Sequence, residues 1–253
     1  MADLVYLEKS SWSERALFAL QLAGVELRTA TKYTPFVDEP WLRWRMGAWT
    51  GKVSVPVLLT SSEPPIRGSR AIAEWAADRS AGKLPRGGDA AYLDRIEALT
   101  ERVMMASRYR VCTRVMESRA FDECDVPSGP AQWLPRSVQR WIVMRVYAGL
   151  AAKYRRPGET MESDLADMRA GLSELRAVLS EAGGARFARG SGPESPPSVA
   201  DLMVATCMHF APLPGGRVPF GPNVRAQFRE PDLESEFADL LAWRDALYAS
   251  FRS

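Results

Sequence analysis

The chain is poor in the residues that most often organise nucleophilic or metal chemistry: its 253 residues include one histidine and three cysteines. The histidine, His209, lies in an apolar stretch with helical periodicity, so it reads as a packing residue and leaves no imidazole for a Ser-His-Asp array. Cys112, Cys124 and Cys207 are odd in number and show no C-x-x-C spacing, which argues against a disulfide framework and against a metal site. A net charge of +2 argues against nucleic acid as the main partner. No apolar run approaches the ~20 residues of a membrane span, and Met1 to Lys9 lacks the charged-then-apolar layout of a secretion signal. The expected setting is therefore a reducing cytoplasm, with no membrane partner. What the chain has is apolar mass, 46% of its residues, enough for a sizeable core in one large or two ordinary domains.

The most informative stretch is Ser54-Val55-Pro56-Val57-Leu58-Leu59, followed closely by Ile66-Arg67-Gly68-Ser69-Arg70-Ala71-Ile72. Proline lacks an N–H and is confined in strands to edges, first positions and bulges, and an X-Pro bond adopts cis at modest cost. Such a start leaves the backbone of Val55 able to face a ligand. Upstream, Leu4 to Leu7 reads as a strand, Lys9 to Ser11 as a turn, and Trp12 to Ala23 as a helix. Val25 to Tyr33 follows with strand alternation, Asp38 to Met46 with a helical stretch, and Ser69 to Arg79 with another helix. The order β-α-β-α-β-β-α predicts a small mixed sheet with helices on its faces.

Gly82, Pro85, Gly87 and Gly88 interrupt the helical pattern between Ser80 and Asp89, which sets the boundary between residues 1–82 and 83–253. Beyond it, 3.6-residue periodicity predicts helices over Ala90–Glu117, Ser137–Tyr154, Thr160–Ala182, Val199–His209 and Glu234–Phe251. Ser198 with Asp201 three residues on forms a capping signal, a device for starting a helix rather than for chemistry. Loops are expected at Cys124–Pro135, Phe187–Pro197 and Ala211–Asn223. Ser11-Trp12-Ser13-Glu14 also fits a capping box, with Ser11 as cap and Glu14 reaching back; that arrangement leaves Ser10 free.

Taken together, Ser10-Ser11-Trp12-Ser13-Glu14-Arg15-Ala16, Ser54-Val55-Pro56-Val57-Leu58, Arg67-Gly68-Ser69-Arg70-Ala71-Ile72-Ala73 and Pro197-Ser198-Val199-Ala200-Asp201-Leu202 resemble the soluble glutathione transferases, over nearly the whole chain. The resemblance is to the serine-dependent branches and their bacterial relatives. It implies an N-terminal thioredoxin-like domain that binds glutathione over residues 1–82, and an all-helical C-terminal bundle over 83–253. It also implies glutathione as co-substrate, no metal, a small-molecule electrophile, a detoxifying role and a homodimer.

Residue by residue, Ser10 matches the serine that donates a hydrogen bond to the glutathione sulfur. A free thiol titrates near ~8.5, and a hydroxyl donor together with a helix N-terminus favours its thiolate. Tyr6, at the strand end where tyrosine-dependent relatives keep their hydroxyl, is the rival. The resemblance assigns the backbone of Val55, before Pro56, to the cysteinyl unit, and Ser69 to the γ-glutamyl end. Gly68 stands where the family has a carboxylate or amide, so the ammonium of the tripeptide loses a partner while Ser69 and its helix N-terminus still face the carboxylate. Arg67 is either a further contact to that carboxylate or an exposed strand-end residue. Lys52 is either a contact to the glycyl carboxylate or a solvated lysine.

The electrophile is expected where the first long helix of the helical half faces Ser10, with Trp12, Met105, Arg108, Tyr109 and Cys112 as candidates for an adaptable apolar wall. Met104 shares their helical spacing, and such a stripe equally suits a core. The arginines dense between Arg95 and Arg156 form a solvated face or dimer contacts, or favour anionic substrates. The expected function is conjugation of glutathione to small hydrophobic electrophiles. Two alternatives stand beside it. One is a glutathione-dependent isomerase of the maleylacetoacetate type, suggested by Ser10-Ser11-Trp12-Ser13; the other is a non-catalytic binding protein on the same fold, suggested by Gly68.

Overall fold

A computed structural model describes residues 2–35, 37–51, 53–122, 126, 130–188, 191–213 and 220–252. The chain divides into two compact units, one comprising Met1–Ile96, Val178–Thr206 and Ala246–Ser253, the other Glu97–Ala177 and Cys207–Asp245.

The first unit holds β1 (Ala2–Tyr6), α1 (Ser11–Leu22), β2 (Leu27–Lys32), α2 (Glu39–Met46), β3 (Val57–Thr60), β4 (Ile66–Arg67) and α3 (Ser69–Ala77). The strands form one mixed sheet in the order β2-β1-β3-β4. β1 runs parallel to β2, whereas β3 is antiparallel to both β1 and β4. β1 is buried along Ala2 to Val5 without the alternation of a half-exposed strand, as a central strand with both faces covered requires. On one face Val5, Val57 and Leu59 pack with Leu42 and Met46 of α2. Leu4 and its partner Leu58 point the other way and are also fully buried. α1 and α3 pack against each other, and α3 buries Ile72, Ala73 and Ala76.

The expected mixed sheet with helices, followed by a helical half, is thus observed. β3 starts at Val57 rather than at Val55, where the apolar run from Val55 to Leu59 would begin it, because Pro56 has no N–H to place in a ladder; the Val55–Pro56 bond is cis. The N-cap of α1 is Ser10 rather than the expected Ser11. Glu14 does not reach back: its carboxylate takes Arg252 Nε–H at 2.9 Å and Nη2–H at 3.2 Å. A bidentate charged donor outcompetes one backbone amide.

Most of the remaining helices follow the predicted spans: α4 (Ala90–Ser118), α5 (Arg136–Tyr154), α6 (Met161–Glu181) and α7 (Val199–Cys207). α7 opens on the expected reciprocal cap. Ser198 N–H donates to Asp201 Oδ2 at 2.7 Å, and Asp201 N–H donates to Ser198 Oγ at 3.2 Å. α7 ends at Cys207, so His209 lies in the turn beyond it and not within a helix. A short helix, α8 (Pro222–Phe228), follows. The span read as one helix from Glu234 to Phe251 is two, α9 (Pro231–Glu236) and α10 (Ala238–Phe251), broken at the fully buried Phe237. In the second unit the core gathers Val111, Cys112 and Val115 of α4, Val143, Tyr147 and Ala151 of α5, and Phe220, Val224 and Phe228. Among the described residues no helix is long and apolar enough to cross a membrane.

Candidate functional site

The sheet register decides which residues meet. Val5 lies opposite Val57, and Val57 opposite Arg67. The last residues of β1, the Val55–Pro56 bend before β3 and the Gly68–Ser69 segment after β4 therefore share one end of the sheet. That end is closed by backbone bonds: Gly68 N–H donates to Pro56 C=O at 3.1 Å, and Tyr33 N–H to Tyr6 C=O at 2.7 Å.

Ser10 is delivered to this end by the turn that leaves β1. Its N–H donates to Leu7 C=O at 3.1 Å, its C=O takes Glu14 N–H at 2.9 Å, and Leu7 N–H donates to Ser13 Oγ at 3.0 Å. Ser10 is buried with extended backbone angles, and its side chain makes no capping hydrogen bond. The hydroxyl therefore sits at a helix N-terminus without being consumed by it. Tyr6, the rival, is half-buried at the end of β1, and burial raises its phenol above the ordinary range, so it stays protonated. Tyr33, packed against the core beneath α2, is pushed by burial up to about 12.

Val55 is half-buried against the same core, and Pro56 is buried. At Gly68 the backbone takes φ +88° and ψ 147°, a region essentially reserved for glycine. A Cβ built there would meet nothing within 4 Å. Ser69, the first residue of α3, is 3% exposed, and its Oγ takes Arg15 Nη1–H at 3.3 Å. Arg67 is exposed, and Arg70 is paired with Glu74 at 2.9 Å and Asp94 at 2.6 Å. Lys52 lies outside the described residues.

Trp12 is half-buried on the first turn of α1. Met105, Arg108, Tyr109 and Cys112 are all on α4, in the second unit. Met105 and Tyr109 are half-buried, and Arg108 stands 5.8 Å over the Phe228 ring. Cys112 is fully enclosed in the core of that unit, and burial pushes its thiol up to about 11, opposed only in part by Arg108.

Arg15, within the Ser10–Ala16 motif, is a further residue that meets this end of the sheet through Ser69. It is fully buried, and besides Ser69 its Nε–H reaches Thr206 Oγ1 at 3.4 Å. The available signal is its position: three and four residues before Phe18 and Ala19 it stands on the buried face of α1, where an arginine is rare unless paired.

Residues 9–79 match the family described as glutathione S-transferase, N-terminal domain. No curated protein matches the chain in sequence. Among solved structures, a glutathione S-transferase of Ceriporiopsis subvermispora in complex with glutathione superposes with TM-score 0.61 at 14% identity, covering 100% of this chain and 98% of that one. The glutathione transferase GSTFuA2 from Phanerochaete chrysosporium gives 0.59 at 15% identity, with coverages of 100% and 98%. A glutathione S-transferase of Methylobacillus flagellatus with glutathione bound gives 0.54 at 16%, with coverages of 100% and 96%.

Proposed function

For a chain that carries the N-terminal domain of the glutathione S-transferase family and takes the fold of its solved members, we propose a serine-type transferase that conjugates the glutathione thiolate to small hydrophobic electrophiles. The observation that supports it most is the meeting, at one end of the sheet, of three groups: an uncommitted buried hydroxyl at the start of α1, the Val55–Pro56 bend and Ser69 at the start of α3.

In this reading the Val55 backbone pairs with the cysteinyl unit, and Ser69 with the first amides of α3 takes the γ-glutamyl carboxylate. The sulfur then lies against Ser10. The hydroxyl donates to it, and the N-terminus of α1 adds positive potential, so the thiol ionises near neutral pH and attacks the electrophile as thiolate. Ser10 stabilises an anion and does not itself become a nucleophile. Lys52 and Arg67 are proposed for the outer carboxylate, and Met105, Arg108 and Tyr109 of α4 for the electrophile, with Cys112 packing behind them. A dimeric, cytoplasmic, detoxifying protein with domains 1–82 and 83–253 completes the proposal.

Calorimetric titration of glutathione into wild type and Ser69→Ala, beside an aryl-halide conjugation assay on wild type and Ser10→Ala, tests it. Binding should weaken in the first variant. In the second the thiol pKa should rise by about 1 to 2 units, as expected for losing one hydrogen bond to an anion. Glutathione binding without turnover by wild type would favour the binding-protein reading, for which Gly68 speaks. Absence of binding at millimolar glutathione would overturn both.

A further inference from the structure

Many arginines on the surface of this chain meet a carboxylate, as Arg79 does with Glu63, Arg86 with Asp78 and Arg169 with Glu236. One stretch departs from that pattern. From Val126 to Gly158 the sequence carries six basic residues and no acidic one, although the whole chain is only +2. The stretch includes a short 3-10 turn, Pro130–Trp133, and α5. α5 buries Gln139, Val143, Tyr147 and Ala151 along one face. At 3.6 residues per turn the opposite face carries Val138, Trp141 and Arg145, where a helix facing water is ordinarily polar. Here Trp141 is 63% and Val138 37% exposed, and Trp133 and Leu134, just before the helix, are 86% and 41% exposed. Four large apolar side chains so close in the chain differ from the scattered single ones of an ordinary surface. Beside Trp141 lies an open cleft of about 470 Å3, lined by Met116, Arg119, Arg140, Met144 and Arg145 among others. Among the described residues none of these three arginines is paired with a carboxylate; Arg140 Nη2–H donates to Arg119 C=O at 3.0 Å. Asp122, which lines the neighbouring cleft, is already engaged by Asn223 Nδ2–H at 2.8 Å and Val224 N–H at 2.9 Å.

We propose that this face of α5, with the turn before it, docks on an anionic lipid surface. Trp133, Leu134, Val138 and Trp141 enter the headgroup boundary, and Arg119, Arg140 and Arg145 meet the lipid phosphates. The amphipathic ring of tryptophan favours that boundary, and arginine lays its stem along apolar surface while its head reaches an anion. Cations beside tryptophan and aliphatic side chains, with no acid among them, are the layout of a helix that lies in an interface. Charge and shape disfavour other occupants. A second copy seated on the same face across a two-fold axis would set these cations against themselves. A nucleic acid strand would stack on the tryptophans but leave Leu134 and Val138 in water. No helix among the described residues is long and apolar enough to cross a membrane, and lying against one requires no such helix. The inference is independent of the thiol-site reading.

The test is co-sedimentation of the whole chain with vesicles of phosphatidylcholine alone and of phosphatidylcholine mixed with phosphatidylglycerol. The chain should pellet with the mixed vesicles only, and be released as salt is raised. Trp133→Ser combined with Trp141→Ser should weaken binding about tenfold, and Arg140→Gln combined with Arg145→Gln about twentyfold. Both double variants should keep the wild-type denaturant midpoint, since the altered side chains are exposed; should one fail to fold, the other carries the test. Absence of the wild-type chain from the mixed-vesicle pellet, equal recovery with both kinds of vesicle, or folded variants that bind like wild type would overturn the proposal. So would a dimer, seen by sedimentation velocity, that the tryptophan variant dissociates, because the face then belongs to a second copy. Retention of a single-stranded oligonucleotide by a chain that mixed vesicles leave in the supernatant would give the face to nucleic acid and overturn it as well.

Discussion

Gly68 sits at a backbone angle that a β-carbon makes costly, in a place where a side chain would meet open space. Gly68→Ala should therefore destabilise the protein by about 1–3 kcal/mol through backbone strain alone. Asparagine should not restore it, since ψ of 147° lies outside the left-handed helical region that asparagine tolerates. Denaturant midpoints decide this, and an unchanged midpoint in the alanine variant would contradict the argument. Cys112 carries the opposite lesson, of burial acting on a titratable group. Its thiol titrates at about 11 in the fold and near ~8.5 when unfolded. Between those values the native state holds a proton that the unfolded chain has released, so stability is complete below pH ~8.5 and falls as pH rises towards 11. The loss amounts to about 2–3 kcal/mol. Thermal melts from pH 8 to 11 should show a decline that is shallower in Cys112→Ala; parallel curves would refute it. Tyr33, raised to about 12 by the same cause, keeps a residual slope of the same sign.

At the scale of elements, α7 depends on its cap. Asp201 accepts from Ser198 N–H at 2.7 Å, from Ser198 Oγ–H at 2.6 Å and from Phe187 N–H at 2.8 Å, while fully buried. Ser198→Ala removes a cap and should destabilise by about 1 kcal/mol. Asp201→Ala strands two buried amides and should cost about 2–4 kcal/mol, so urea unfolding should rank the two in that order. This cap was legible beforehand because both partners are three residues apart in the chain. Ser69 opening α3 was legible for the same local reason. Where a long-range partner intervenes, local reading fails. Ser11-x-x-Glu14 satisfies a capping box on paper, yet Arg252, 238 residues away, takes the glutamate. Phe237 continues a helical period, which hid the break between α9 and α10 at that fully buried residue. Arg15 was visible as a charge on an apolar face, but its meaning required Ser69 and Thr206, 54 and 191 residues distant.

At the scale of the molecule, the unit that contains the sheet is assembled from three separate stretches of chain, and its last piece is Ala246–Ser253. That piece is held by specific contacts. Tyr248 and Leu247 are buried, the Tyr248 ring lies 5.2 Å from Phe18 of α1, Arg252 pairs with Glu14, and Gln21 Nε2–H donates to Phe251 C=O at 3.3 Å. Phe18 and Glu14 flank Arg15 on the helix that presents Ser10, so these contacts fix the helix on which the proposed chemistry depends. Removing residues 246–253 takes away two buried large side chains, Leu247 and Tyr248, worth about 1.5–3 kcal/mol each, as well as the charged pair. The expected destabilisation is about 5 kcal/mol, a large share of the 5–15 kcal/mol typical of a folded chain. Arg252→Ala, which leaves the largely buried Glu14 carboxylate without its charged partner and also removes the bond to Gln21 and the cation over the Phe18 ring, should lower stability by about 2–3 kcal/mol. Chemical denaturation of the truncated chain and the point variant beside wild type measures both. A truncated chain that unfolds at the wild-type midpoint would show that α1 is held by its packing on α3 and the sheet alone, and that the last turn of α10 contributes nothing to the site it adjoins.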